Sequence, residues 1–98
     1  SEKQAGAVSV IDDKGKLMGV VTDYDIRRHL EKEENIFSMA ITGIMNNSPV
    51  FVYEDEKAFS ALKTMQEREK PITVLPVLNR KNVVVGMLRL QDLVKEGL

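Results

Sequence analysis

Short apolar runs separated by polar turns organise this chain. Val8-Ser9-Val10-Ile11 is rich in β-branched residues, Asp12-Asp13-Lys14-Gly15 is turn chemistry, and Leu17-Met18-Gly19-Val20-Val21 is a second apolar run. That order predicts a β-hairpin with strands over residues 7–11 and 17–21, Gly15 taking a positive φ in the turn. The same order returns later, with strands over 74–78 and 83–88 around Asn79-Arg80-Lys81-Asn82. There Asn82 replaces the glycine, because asparagine also tolerates the left-handed region. A helical segment follows each hairpin. Ile26 and Leu30 predict one over 23–32; Leu90, Leu93 and Val94 predict another over 90–96, ended by Gly97. Between the hairpins, Pro49-Val50-Phe51-Val52 reads as a strand over 50–52 with proline at its edge. The stripe Ala58, Phe59, Leu62, Met65 predicts a helix over 55–68, capped by Glu54 or Asp55 and stopped at Lys70-Pro71.

Sliding the sequence on itself by 67 residues superimposes the two hairpin–helix segments. Glu2, Lys3, Val10, Lys14, Gly19 and Asp25 then meet identical residues at Glu69, Lys70, Val77, Lys81, Gly86 and Asp92. Most other pairs keep their apolar or polar character. The second copy reads as a full β-α-β-β-α unit. The first begins where that unit's opening helix ends, so its opening strand and helix are expected to lie outside this chain. The fold class is therefore α+β, two β-α-β-β-α repeats related by a pseudo-twofold axis, the first one truncated. The expected boundaries are residues 1–34 for the first repeat, 35–48 for a linker and 49–98 for the second. The linker opens on the solvated run Glu31-Lys32-Glu33-Glu34-Asn35 and continues as a partly apolar connector.

Composition narrows the function classes. Ninety-eight residues are too few for a catalytic barrel or a full dinucleotide-binding domain. Fourteen basic against fifteen acidic residues give a net charge of −1, which argues against a nucleic-acid or membrane partner. With no cysteine, thiolate metal sites and cysteine nucleophiles are excluded, and a cytoplasmic setting is expected. The longest apolar runs are only six or seven residues, and Ser1-Glu2-Lys3-Gln4 does not read as a signal peptide. No phosphate loop, dinucleotide fingerprint or His-Glu-x-x-His motif is present, and no catalytic residue is assigned.

Asp12-Asp13-Lys14-Gly15, Gly19-Val20-Val21-Thr22 and Asp25 resemble the cystathionine-β-synthase (CBS) domain. Asn79, Gly86-Met87-Leu88 and Asp92 carry a weaker likeness, and Met45-Asn46-Asn47-Ser48-Pro49-Val50 resembles the start of a second repeat. The resemblance implies a tandem pair with two clefts between the repeats. A narrower likeness joins Thr22-Asp23-Tyr24-Asp25-Ile26-Arg27-Arg28 and the closing residues 90–98 to sugar isomerases of the arabinose-5-phosphate isomerase type. It implies a regulatory module following an isomerase domain in lipopolysaccharide or capsule sugar biosynthesis. That isomerase domain would be a partner in the same polypeptide.

Thr22-x-x-Asp25 has two compatible readings. One is a capping box, in which threonine caps the helix and aspartate reaches back. The other, implied by the family, is a nucleotide site: Thr22 and the helix start take phosphate, and Asp25 takes the ribose hydroxyls. In the second copy Asp92 is kept but Arg89 replaces the threonine, and arginine has no acceptor with which to cap. That site is either degenerate or uses Arg89 as a bidentate phosphate contact. Ala7, Val8, Val74 and Leu75 are the candidates to line an apolar slot for a base. Arg28 is a further anion contact or simply an exposed helix residue, His29 a surface residue. Asp23-x-Asp25 gives no autonomous metal site. No cofactor is required on this reading; the expected ligand is an adenosine or cytidine nucleotide or a sugar nucleotide. The alternative is a ligand-free dimerisation scaffold. The uncovered Val8, Val10 and Leu30 make at least a homodimer the expected state.

Overall fold

The computed structural model describes residues 6–32 and 34–97. The chain divides into two compact units, Ser1–Pro49 and Val50–Leu98. Together they hold two small sheets and four α-helices.

In the first unit, β1 (Ala7–Ile11) and β2 (Leu17–Thr22) pair antiparallel and lead directly into α1 (Asp23–Glu31). Turn chemistry sets the hairpin. The Asp12 carboxylate accepts the amides of Lys14 at 2.8 Å and Lys16 at 2.9 Å, and Gly15 takes a φ of 82°. The second unit repeats this device. Asn79 Oδ1 accepts from the amides of Lys81 and Val83 at 2.9 and 3.0 Å, and Asn82 has a φ of 66°. Its strands β4 (Val74–Leu78) and β5 (Val84–Arg89) lead into α4 (Leu90–Lys95), where Gly97 takes a φ of 92° beyond the last turn.

The two ladders share one register. Ala7 faces Thr22 as Val74 faces Arg89, Val10 faces Gly19 as Val77 faces Gly86, and each ladder shifts at the following residue. The 67-residue repeat is thus a repeat of backbone geometry within each unit.

The second unit adds β3 (Val52–Tyr53) parallel to β4, and α3 (Ala58–Gln66). Val52, Ala61, Met65, Leu75 and Leu93 form its buried cluster. The expected strand over 50–52 lies one to two residues later. Phe51 would have to pair beside Pro76, which lacks an N–H, so the ladder starts at Val52 with Val77. The helix expected over 55–68 is shorter, and neither Glu54 nor Asp55 caps it. Lys57 is the N-cap and gives no side-chain bond. Asp55 is instead drawn to Arg80, and Glu56 accepts the Tyr53 amide at 2.9 Å. At the other end α3 stops at Gln66, before Lys70-Pro71, and the Ile72 amide returns to the Met65 carbonyl at 2.9 Å, closing the turn that contains them.

The connector also departs from expectation. It contains a 3-10 turn at Ile36–Ser38, the short helix α2 (Ile41–Ile44) and a bridge between Asn46 and Val20. Val20 N donates to Asn46 O at 3.0 Å and Asn46 N to Val20 O at 2.8 Å. Gly19 makes that approach feasible: a Cβ there would stand 2.6 Å from Met45 Sδ and 2.7 Å from Asn46 O. Val20, Val21 and Ile44 are the buried apolar residues of this unit.

Candidate functional site

The site is built where β2 hands over to α1. Thr22 ends the strand in an extended conformation, with φ −121° and ψ 169°, and becomes the N-cap of α1. Its Oγ1 accepts the Asp25 amide at 3.2 Å and donates to Asp25 Oδ2 at 2.9 Å. Asp25 Oδ2 also accepts the Thr22 amide at 2.8 Å, which completes a reciprocal capping box. Asp25 is 5% exposed and is the buried charged residue among those described. Burying a carboxylate is costly without partners, and here two donors converge on one oxygen. Oδ1 accepts no hydrogen bond from the described residues.

Asp23, weighed in the sequence only as half of an Asp-x-Asp pair, shapes the same corner. Its Oδ2 accepts the Gly6 amide at 3.0 Å and so ties the chain entering β1 to the start of α1. Asp23 and Asp25 therefore serve different backbone donors. Ala7 faces Thr22 across the ladder and Val8 faces Val21, so both lie beside the box. Arg28 lies one turn along α1, its guanidinium 5.8 Å from the centroid of the exposed Tyr24 ring. His29 is not a free surface residue: its side chain is largely covered, and Nδ1 meets Glu34 Oε1 beyond the helix end. That contact holds the Glu34 carboxyl below the usual carboxylate range.

The second unit places the counterparts alike but bonds them differently. Arg89 is the N-cap of α4 and makes no side-chain cap. Its Nε and Nη2 donate to Asp92 Oδ2 and Oδ1 at 3.1 and 3.3 Å, a two-point pair that occupies both carboxylate oxygens. Val74 faces Arg89 in the ladder, while Leu75 faces Leu88. The side chain of Leu75 belongs to the buried cluster, so its backbone alone remains to line a slot.

Two consecutive hairpin–helix units in one register, each with an aspartate one turn into its helix, define a tandem α+β module. The CBS domain family profile matches residues 1–32 and 41–98, and the chain belongs to the CBS domain family. The chain is 36% identical over 87 residues to arabinose 5-phosphate isomerase KpsF of Escherichia coli, covering 89% of this chain and 26% of that protein. It thus spans about a quarter of the length of that relative. The CBS domain pair of protein MJ0100, solved with 5′-methylthioadenosine and S-adenosyl-L-methionine, matches with TM-score 0.76 and 26% identity. That match covers 92% of this chain and 68% of the other. CBSX2, solved in complex with AMP, matches with TM-score 0.76 and 26% identity, over 92% of this chain and 69% of the other. No helix among the described residues is long and apolar enough to cross a membrane.

Proposed function

We propose that this chain is a regulatory module that binds a nucleotide or sugar-nucleotide effector and adjusts a sugar-phosphate isomerase domain in a longer cytoplasmic polypeptide. The observation that carries the reading is the buried Asp25, held through Oδ2 by Thr22 with Oδ1 left for a ligand. A carboxylate anchored this way is pre-organised to accept hydrogen bonds from a ribose diol. Thr22 and the first turn of α1 offer a place for phosphate, Arg28 a nearby cation, and the backbone of Ala7 and Val8 an edge for a base. The AMP complex of CBSX2 and the adenosine ligands of the MJ0100 pair support the ligand class. KpsF supports the attached activity. We place the repeats at residues 1–34 and 49–98, joined by 35–48; the unit boundary after Pro49 supports this division. Regulation follows from linkage: an effector that prefers one arrangement of the repeats biases the domain joined to them.

The Arg89–Asp92 pair favours a second reading for the second copy. There the carboxylate is already satisfied by a guanidinium, which suits a scaffold without a ligand. Exposed Phe37 and Ile41 offer the apolar surface through which such a scaffold would form a homodimer. Titration calorimetry with AMP, S-adenosylmethionine and a cytidine sugar nucleotide separates the readings. One site per chain that is lost with Asp25→Asn supports the first. No heat with any of these ligands, together with a dimer in sedimentation, leaves the scaffold.

A further inference from the structure

The ladder of β1 and β2 runs in a fixed phase. Val20 N and O both bond to Asn46, so they face away from β1, and Ser9–Val20 is a pair that exchanges no backbone hydrogen bonds. Ala7–Thr22, two residues along with no shift in register, is a pair of the same kind. Residues 6 and 23 therefore hold the next bonded position. The second unit has the same phase: Leu90 N donates to Thr73 O at 2.8 Å, 67 positions on from Asp23 and Gly6. A full bonded pair also needs the return bond, and here the backbone cannot make it. The carbonyl of residue 23 belongs to the first turn of α1 and points along that helix. The Asp23 carboxylate supplies an acceptor in its place, taking Gly6 N on Oδ2 at 3.0 Å. Leu90 opens α4 at the equivalent position and has no side-chain acceptor.

We infer that Asp23 is a positioning residue for the effector site: it pins the entrance of β1 so that the backbone of Ala7 is held ready for the base. Because Ala7–Thr22 is a non-bonded pair, Ala7 N–H and C=O point off the edge of β1 that faces away from β2. Those two groups can read the donor and acceptor pattern of a base. Packing does not fix the entrance. Among the described residues a Cβ at Gly6 would meet nothing nearer than Asp23 Oδ1, at 4.0 Å. Glycine has wide backbone freedom, and the carboxylate removes that freedom before a ligand arrives. Nor does α1 need Asp23 as a cap, since Thr22 and Asp25 complete the capping box between them. The inference rests on the effector reading of Asp25 and separates two tasks within it: Asp25 takes the ribose, and Asp23 sets the edge that takes the base.

The test compares a nucleotide with the same ligand lacking its base. AMP and ribose 5-phosphate are titrated by NMR into the wild-type chain and into Asp23→Ala, Asp23→Asn and Asp25→Asn. Asp23→Ala should weaken AMP about three- to tenfold, the net contribution of one hydrogen bond, and leave ribose 5-phosphate binding undiminished. Asp23→Asn keeps an acceptor for Gly6 N and should restore the AMP affinity. A residue that acted only through its charge at the start of α1 would not be rescued this way. Asp25→Asn should weaken both ligands alike. Amide exchange of the unliganded chain reads the tether itself: Gly6 N–H should exchange about tenfold faster or more in Asp23→Ala and near the wild-type rate in Asp23→Asn. Parallel losses of AMP and ribose 5-phosphate in Asp23→Ala, no rescue by Asp23→Asn, or unchanged Gly6 exchange overturns the inference and leaves the role of Asp25 standing. A wild-type chain that binds neither ligand overturns the effector reading and this inference with it.

Discussion

Thr22 and Asp25 hold each other by three hydrogen bonds, two of which end on the same carboxylate oxygen, Oδ2. The aspartate is therefore both the end stop of α1 and the most deeply placed charge near the candidate site. Replacing it with alanine would strip two donors of their acceptor as well as remove a ligand contact. Asp25→Asn is the sharper probe, because it keeps an acceptor for Thr22 and removes the charge. Calorimetry should show Asp25→Asn weakening a ribose-containing effector by roughly 1.5–3 kcal/mol, the range for a hydrogen bond to a charged group. Asp92→Asn should weaken it much less, since Asp92 is engaged by Arg89. Equal losses at both positions would refute the asymmetry.

Thr22→Val removes the cap acceptor and the hydroxyl together. Denaturant unfolding should report a loss of about 1 kcal/mol, and Thr22→Ser should restore most of it because serine keeps the Oγ. A variant that unfolds at the wild-type midpoint would show that the box contributes nothing to α1.

Both hairpins were legible in the sequence because their determinants are local. Asp12 and Asn79 each sit two and four residues before the amides they accept, and Gly15 and Asn82 occupy the left-handed positions. The capping box was legible for the same reason, since it spans only three residues. What escaped the sequence depends on distant partners. Asp55 looked like a cap for α3 until the structure placed it against Arg80, 25 positions away. The Leu75 side chain enters the buried cluster under α3, and periodicity alone does not say which face that helix covers. Residues 41–46 looked like a connector, and their pairing with β2 rests on one glycine whose role needs Met45 and Asn46 overhead. The repeat itself was visible from identities at a fixed offset, and the exposure of Val8 and Leu30 followed from the expected truncation of the first copy.

The turns offer a test of backbone conformation. Asn82 holds a φ of 66° and also accepts the Tyr53 hydroxyl at 3.2 Å. Asn82→Val forces a β-branched residue into the left-handed region, which should cost about 1–2 kcal/mol in chemical denaturation. Asn82→Gly relieves the backbone but loses the side-chain bond, so it should fall within about 1 kcal/mol of wild type. The order Gly above Val is the outcome that matters.

Acid sensitivity should trace to surface carboxylates. Arg80, which stacks 4.0 Å from the Tyr53 ring centroid, hydrogen-bonds Asp55 and holds its carboxyl below the usual range. The Lys16 and Lys14 amides do the same for Asp12. A carboxyl whose folded pKa lies below its unfolded value adds stability above the unfolded value, near 3.9 for aspartate, and loses it as pH falls through the folded one. Melting temperatures should therefore drop on acidification from about pH 4 downward. The gap between wild type and Asp55→Asn should be open at neutral pH and close at the acid end. It should also narrow in high salt, since this pair is exposed. A gap that widens on acidification would contradict the assignment.

Gly19 and Gly86 occupy the same register position and should respond oppositely to one methyl group. At Gly19 the new Cβ would lie 2.7 Å from the Asn46 carbonyl oxygen and 2.6 Å from Met45 Sδ. The sulfur sits on a flexible side chain and can move aside, but the carbonyl belongs to backbone bonded to Val20. Gly19→Ala should therefore push residues 45–46 off β2, break one or both bridge hydrogen bonds and destabilise the first unit by about 1–3 kcal/mol. At Gly86 a Cβ would meet nothing within 4 Å, and φ lies outside the left-handed range. Gly86→Ala should be neutral, or stabilise by up to about 1 kcal/mol through the unfolded state. Hydrogen exchange at the Val20 and Asn46 amides gives the local readout, because both should lose protection in Gly19→Ala and keep it in Gly86→Ala. If Gly19→Ala kept that protection, the bridge would not depend on the missing side chain, and the close approach of residues 45–46 to β2 would have to be set elsewhere.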